Sequence, residues 1–231
     1  MKTWLLVAAE RREFDGIRKR LGKTTERSGL GARFVCEGTR NGDRWTMIAN
    51  GPGRELVGAA LSDDVIREVQ PEGVSAIIST GYCGALDPKL RVGDIVVSEE
   101  TPIGGLDCSR GLVLTRDRVS VTAAEKRALR DETGAIAVDM ESSAVKDRAE
   151  ALGIPFACIR VVSDTAGENM PLDFNRYRGA DGRFSRGRIA LAAMARPFSV
   201  MPALLAFDRQ CQRASVALGD ALGDLLADCR F

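Results

Sequence analysis

The sequence predicts an α/β fold, a sandwich with a central mixed β-sheet flanked by helices, on three observations. Short continuous apolar runs recur along the chain, as strands buried on both faces of a sheet require. Segments with apolar residues at helical spacing alternate with those runs. No internal repeat and no linker divides the 231 residues, so 1–231 reads as a single domain that ends in an arginine-rich helical segment at 175–231.

The run 4–9 is the first buried strand, and the charged segment after it carries Phe14, Ile17 and Leu21 at helical spacing up to Gly22. Residues 33–37 and 44–50 flank Asn41-Gly42, the strongest short-range hairpin signal in the chain. Gly51-Pro52-Gly53 breaks the chain before a helical pattern of Leu56, Val57, Ala60, Leu61, Val65 and Ile66 that Pro71 closes. The next strand, 74–79, runs into a glycine-rich loop, Thr80-Gly81-Tyr82-Cys83-Gly84. Residues 95–98 and 112–114 supply short strands and 123–130 a helix. Strands at 135–138 and 156–162 are separated by a helix over 141–152 and the turn Gly153-Ile154-Pro155. From 175 to 196, Arg176, Arg178, Arg183, Arg186, Arg188 and Arg196 meet a single acid, Asp181, and the chain turns helical again beyond Pro202.

Composition removes several classes of function. With 45% apolar and 28% charged residues and a net charge of +1, the chain is an ordinary globular one, and no global field attracts nucleic acid. The absence of histidine excludes Ser-His-Asp and Cys-His catalysis, most zinc enzymes and haem ligation by His. Proton transfer therefore falls to carboxylates, Lys, Tyr or Cys. The six cysteines, at 36, 83, 108, 158, 211 and 229, form no C-x-x-C pair and read as reduced, mostly buried thiols. Charges from Glu10 onward end the first apolar run too early for a signal-peptide core. No stretch approaches the roughly 18 apolar residues of a membrane span, so cytoplasm is the default compartment.

Ligands of open α/β sheets bind beyond the carboxyl ends of strands, which singles out four places. Glycines in Thr80-Gly81-Tyr82-Cys83-Gly84 let backbone N–H groups turn toward an oxygen-rich ligand, or simply make a tight turn. In Asp139-Met140-Glu141 a strand ends in two carboxylates, whose plainer reading is a helix cap and a charge at the helix's positive end. Ser163-Asp164 closes the longest apolar run, broken only by Arg160, and also reads as a cap. Glu10 and Glu13 follow the first strand, where a solvated helix start is the plainer reading. If the strands are parallel, all four converge on one sheet edge.

These residues carry a resemblance. Residues 78–98, ISTGYCGALDPKLRVGDIVVS, are similar to the signature of the nucleoside phosphorylase and nucleosidase superfamily, a Thr-Gly-x-x-Gly loop followed by a Val-Gly-Asp-Ile-Val strand. AVDMESSA at 137–144 resembles its ribose-binding Met-Glu motif, IRVVSDTA at 159–166 its Ser-Asp strand end, and Gly51-Pro52-Gly53-Arg54 its Gly-x-Gly-Lys turn. The methylthioadenosine/S-adenosylhomocysteine nucleosidases and the hopanoid-associated phosphorylases are the most similar branches. The arginine-rich segment after Asn175 resembles that of the latter.

The resemblance implies a nucleoside phosphorylase-like fold and cleavage of the N-glycosidic bond of a purine nucleoside, one carrying adenine. Negative charge gathers on the departing base, so an acid at its N7 accelerates the step. By match that acid is Asp164, flanked by Ser163 and Ala166. Glu141 would accept the two ribose hydroxyls beside Asp139, with Met140 packing on the sugar. Thr80, Gly81, Tyr82, Cys83 and Gly84 would border the substrate, and backbone around Val119 would contact the base. Nucleosidases carry a water-activating glutamate early in the first helix; a gapless match puts Arg12 there, whereas aligning the apolar phase on Phe14 puts Glu13 there, which is preferred. Phosphorylases show Arg-x-Gly-Ser-x-Gly, and Tyr82 stands at the serine's place, so hydrolysis is favoured. Phosphorolysis, with Arg11, Arg12 or Arg54 gripping phosphate, is the alternative.

No metal or organic cofactor is implied, phosphate being only an alternative co-substrate, and the expected assembly is a homo-oligomer, a dimer or larger. The arginine-rich segment either packs with its arginines in solvent or rests on an anionic membrane, as would suit an adenosyl lipid substrate. A non-catalytic nucleoside-binding protein would have no need of Asp164. A dinucleotide-binding turn at Gly51 would need a third glycine where Leu56 stands.

Overall fold

Each apolar run of the sequence contributes a strand in the computed structural model, which describes residues 2–69, 73–103 and 105–227. The strands β1 (Thr3–Ala8), β2 (Thr24–Arg27), β3 (Phe34–Arg40), β4 (Asp43–Ala49), β5 (Ala76–Ala85), β6 (Ile95–Ser98), β7 (Ser109–Gly111), β8 (Val113–Thr115), β9 (Ala137–Asp139) and β10 (Phe156–Asp164) form one mixed sheet. Its order is β2-β3-β4-β1-β5-β10-β6-β7, with β9 and β8 attached at the far end of β5. The central strands β4, β1, β5 and β10 are parallel, β3 runs antiparallel to both its neighbours, and β6 runs antiparallel to β10 but parallel to β7. The polar strands β2 and β7 lie at the sheet edges, where no apolar run announces them.

Both faces of the sheet are covered, which is why β1 is buried at all six positions. Trp4 and Leu6 point to one face with Phe14, Ile17, Leu218 and Leu222, and Leu5 and Val7 to the other with Val57, Leu61 and Val145. The first face is covered by α1 (Asp15–Arg20) and α7 (Val200–Ala227), and the second by α2 (Arg54–Ala60), α3 (Asp63–Val69) and α5 (Ser142–Ala151). The helices α4 (Ala123–Thr133) and α6 (Arg186–Met194) complete the set. Pro202 falls in the first turn of α7, where its missing N–H breaks no helical bond. Among the described residues no helix is long and apolar enough to cross a membrane.

The Asn41-Gly42 hairpin forms as expected, with both residues at positive φ (53° and 84°) between paired β3 and β4. Three features differ from the expectations. The pattern from Leu56 to Ile66 is two helices, because the chain leaves the helix at Leu61 and restarts at Asp63 with two acids in its first turn; Pro71 lies outside the described residues. Residues 80–84 are the second half of β5 and not a loop, since β10 pairs with them through Gly84 and β9 pairs with Gly84 and Ala85. The strand ends are not all parallel, for β9 runs antiparallel to β5. They meet nonetheless, because β5 continues beyond its last partner in β1 and β9 returns along that overhang.

One helix crossing places the first candidate carboxylate. A Cβ on Gly16 of α1 would lie 2.0 Å from the Ser215 carbonyl oxygen of α7, and one on Gly219 would lie 2.2 Å from the Gly16 carbonyl carbon. The two backbones thus touch, and the Ser215 hydroxyl accepts from the Gly16 N–H (3.2 Å) and donates to the Arg12 carbonyl (3.0 Å). The 3₁₀ turn Arg11–Phe14 is held between this crossing and the end of β1.

Candidate active site

Glu13 stands on that turn, nearly buried, with Oε1 accepting the Tyr82 N–H (2.8 Å) and Oε2 the Glu10 N–H (2.6 Å). Burial pushes its carboxyl above the usual range, while the two N–H groups and the charges of Arg160 and Arg12 oppose the rise. Gly81 makes room for it: a Cβ there would lie 2.5 Å from Glu13 Oε1, and Gly81 holds φ at +124°. Gly84 does the same for Asp164, whose Oδ2 would be 3.1 Å from a Cβ. The glycines of β5 therefore clear space for two carboxylates.

Arg160, the single charge in the longest apolar run, is 0% exposed and organises the centre of the site. Its guanidinium reaches Asp139 Oδ2 (2.6 Å), the Ser79 hydroxyl (2.7 Å), the Thr80 carbonyl (2.7 Å) and, farther off, Glu141 Oε2 (3.8 Å). Burial alone would loosen its proton, but Asp139, Glu141 and Glu13 outweigh that and hold it more firmly than usual. Asp139 spends its remaining capacity on the N–H and hydroxyl of Ser142 and on the Thr115 hydroxyl, so it caps α5 as well.

Glu141 Oε1 accepts the Gly53 N–H at 2.9 Å, which gives the Gly51-Pro52-Gly53-Arg54 turn its part in the site. Burial raises its carboxyl to about 8; Arg160 counters the rise, and Asp139 and Glu13 add to it. Asp164, at the end of β10, accepts from Ser163 Oγ (2.7 Å, to Oδ1) and from the ammonium of Lys126 (2.5 Å, to Oδ2). Lys126 comes from α4 and is fully buried.

A cavity of about 780 Å³ opens over these groups. Glu13, Glu141, Asp164 and Lys126 line it together with Tyr82, Cys83, Gly84, Val119, Asp139, Met140 and Ser163. Its apolar lining comes from Met170, Phe174, Phe184, Ile189, Leu204 and Phe207. Thr80, Gly81 and Ala166 are not on the cavity surface: Thr80 is buried beneath it, Gly81 lies against Glu13, and Ala166 sits past the strand end. Arg11 and Arg12 border the opening but are engaged by Glu26 and Asp208, and Arg12 also lies over the Tyr82 ring. Arg54 is off the cavity and paired with Asp147.

Sequence reasoning did not single out Arg160 or Lys126. Arg160 had a signal, a lone charge inside a buried strand, which demands a countercharge. Lys126 had none, because it stands among Glu125, Arg127 and Arg130 on a helix of charged residues.

The sequence model of the Phosphorylase superfamily matches residues 3–107 and 104–184. Among solved structures, the chain is similar to the 5′-methylthioadenosine/S-adenosylhomocysteine nucleosidase of Neisseria meningitidis in complex with methylthio-immucillin-A, at 20% identity over 99% of this chain and 100% of that one, with a TM-score of 0.70. It is similar to the corresponding nucleosidase of Colwellia psychrerythraea in complex with adenine (19% identity, 98% and 95% covered, TM-score 0.70). It also resembles the futalosine hydrolase of Helicobacter pylori (15% identity, 98% of each chain, TM-score 0.70). At such identities the structural likeness speaks for the fold, and the matched sequence spans most of the strands that build the cavity. The chain therefore belongs to the phosphorylase superfamily, and its sheet is the nucleoside phosphorylase-like sheet of that family.

Proposed function

We propose that the protein cleaves the N-glycosidic bond of an adenine nucleoside by hydrolysis. The observation that carries this reading is the convergence of Glu13, Glu141 and Asp164, from three separate chain segments, on one cavity. Glu141 accepts hydrogen bonds from the ribose 2′ and 3′ hydroxyls, which offer two donors to one carboxylate. Glu13, held by two backbone N–H groups, orients water and takes its proton as it attacks C1′. Asp164 meets the purine N7, where a proton stabilises the departing base. Arg160 positions Asp139 and Glu141 from below without reaching the cavity.

Structural neighbours with bound adenine or methylthio-immucillin-A support adenine as the base. The apolar lining of the cavity suits an uncharged, apolar group at the ribose 5′ position. Phosphorolysis is the second reading, favoured by Arg12, which borders the cavity and whose pair with the half-exposed Asp208 is a weak one that phosphate could displace.

The test is adenine release from 5′-methylthioadenosine and adenosine, with and without phosphate, with the sugar product identified. Free sugar, no response to phosphate, and a fall in kcat of about 10²- to 10⁴-fold in Asp164→Asn are expected. A sugar 1-phosphate overturns hydrolysis, and near-normal turnover by Asp164→Asn overturns the acid.

A further inference from the structure

We propose that Lys126 holds the proton that reaches the leaving base, and that Asp164 relays it. The proposal rests on the glycosidase reading above and adds a positioning residue that acts only through Asp164.

The geometry around Lys126 Nζ accounts for every hydrogen of an ammonium group. Asp164 Oδ2 accepts at 2.5 Å, the Thr165 carbonyl at 2.7 Å and the Glu168 carbonyl at 3.1 Å. Asp164 in turn accepts twice, from Lys126 at Oδ2 and from Ser163 at Oδ1. At Oδ2 the Asp164 carboxyl is the acceptor and Lys126 Nζ the donor. The nearest proton is that of Lys126, shared along a short charge-assisted contact. A lysine kept at 0% exposure is costly unless its charge is used or matched, and the pair lies on the cavity wall and not beneath it. Docking of α4 does not require an ammonium: Leu129 packs in a separate apolar cluster, and Arg130 ties the helix to Asp87.

The C1′–N9 bond breaks and its electron pair stays with the purine; a proton passes from Lys126 Nζ to the Asp164 carboxylate and from there to N7. Asp164 is a carboxylate before and after, and Lys126 is left as a neutral amine. Water bonds to C1′ and its proton goes to Glu13. After the products leave, Glu13 releases that proton to solvent and Lys126 takes one up.

The pH profile reports where the transferable proton resides, because ammonium groups hold protons several pH units higher than carboxyls do. The groups facing the pair titrate elsewhere. Burial raises the Cys83 thiol of β5 well above its usual value and that of Cys211 on α7 to about 12. Glu168 is pushed upward by partial burial but held low by the N–H and hydroxyl of Thr165 and by Gln210. Glu13 and Glu141, both raised, face the ribose side and shape the acid limb.

The experiment measures kcat and KM against pH for the wild type, Lys126→Met and Lys126→Arg, with 5′-methylthioadenosine and with 4-nitrophenyl β-D-ribofuranoside, whose leaving group departs without a proton. Wild-type adenine release should persist into the alkaline range. Lys126→Met should lose at least about 10²-fold in kcat with little change in KM, and its alkaline limb should move to lower pH. Lys126→Arg, which keeps the charge but gives up no proton, should stay impaired. Both variants should cleave the nitrophenyl riboside almost as well as the wild type. Unchanged adenine kcat in Lys126→Met, equal losses on both substrates, or rescue by arginine would overturn the proposal. A wild-type profile that collapses below neutral pH overturns it even if no variant folds. Wild type that releases no base from any purine nucleoside overturns the glycosidase reading itself; an active wild type with an unaffected Lys126→Met overturns only the relay.

Discussion

Replacing Arg160 with methionine tests the electrostatic centre of the site. The substitution keeps an unbranched side chain of comparable length but removes the only cation that reaches Asp139 among the described residues. Asp139, with its side chain fully buried, would lose a partner at 2.6 Å, and the Ser79 hydroxyl and Thr80 carbonyl would each lose a hydrogen bond. Leaving a buried charge unmatched costs about 3–5 kcal/mol, a large part of the roughly 5–15 kcal/mol that stabilises a domain. With a urea m-value of about 2–3 kcal/mol/M, the unfolding midpoint at pH 8 should fall by roughly 1–2 M. The loss should be smaller at pH 5. Arg160 now restrains the raised carboxyls of Glu13 and Glu141; without it they rise further and take up protons in the folded state. A group whose folded value is raised stabilises below its unfolded value and loses that contribution as pH climbs through the folded one, so the damage grows from pH 5 to pH 8. Adding Asp139→Asn should recover part of the loss, through a coupling of about 0.5–3 kcal/mol. A variant within 1 kcal/mol of wild type at pH 8, or equally destabilised at both pH values, would refute this account.

Two other outcomes follow from the same geometry. Glu141→Gln should harm nucleosides with both ribose hydroxyls far more than their 2′-deoxy analogues, and wild-type KM should improve as pH rises toward 8 and Glu141 becomes an acceptor; equal losses on both substrates, or a flat KM, would count against the assignment. Leu191, Met194 and Phe198 stand exposed, Phe198 at 96%, beside the exposed Arg188 and Arg196, so we expect salt-sensitive cosedimentation with anionic liposomes that Phe198→Ser weakens; no binding at low salt would remove the membrane reading.

The sequence by itself determined what depends on neighbours along the chain. Continuous apolar runs can only be buried between two layers, so the strands and the α/β class were legible from them. Asn41-Gly42 specified its hairpin because two consecutive residues at positive φ are a local demand. The phase of Phe14 likewise favoured Glu13 over Arg12 as the carboxylate of the first helix start, since Phe14 must enter the core. Tertiary structure alone decided which distant groups share space. Glu13 and Gly81 meet across 67 intervening positions, and the glycine reads as a turn until the carboxylate that fills its missing side chain is known. The direction of β9 was open because three residues carry no orientation of their own; the overhang of β5 sets it. Lys126 looks like any surface lysine of a charged helix, and Asp164 like any strand-end cap. Only the closed chain takes both out of water and brings them to 2.5 Å, where the desolvation each suffers makes the other its necessary partner.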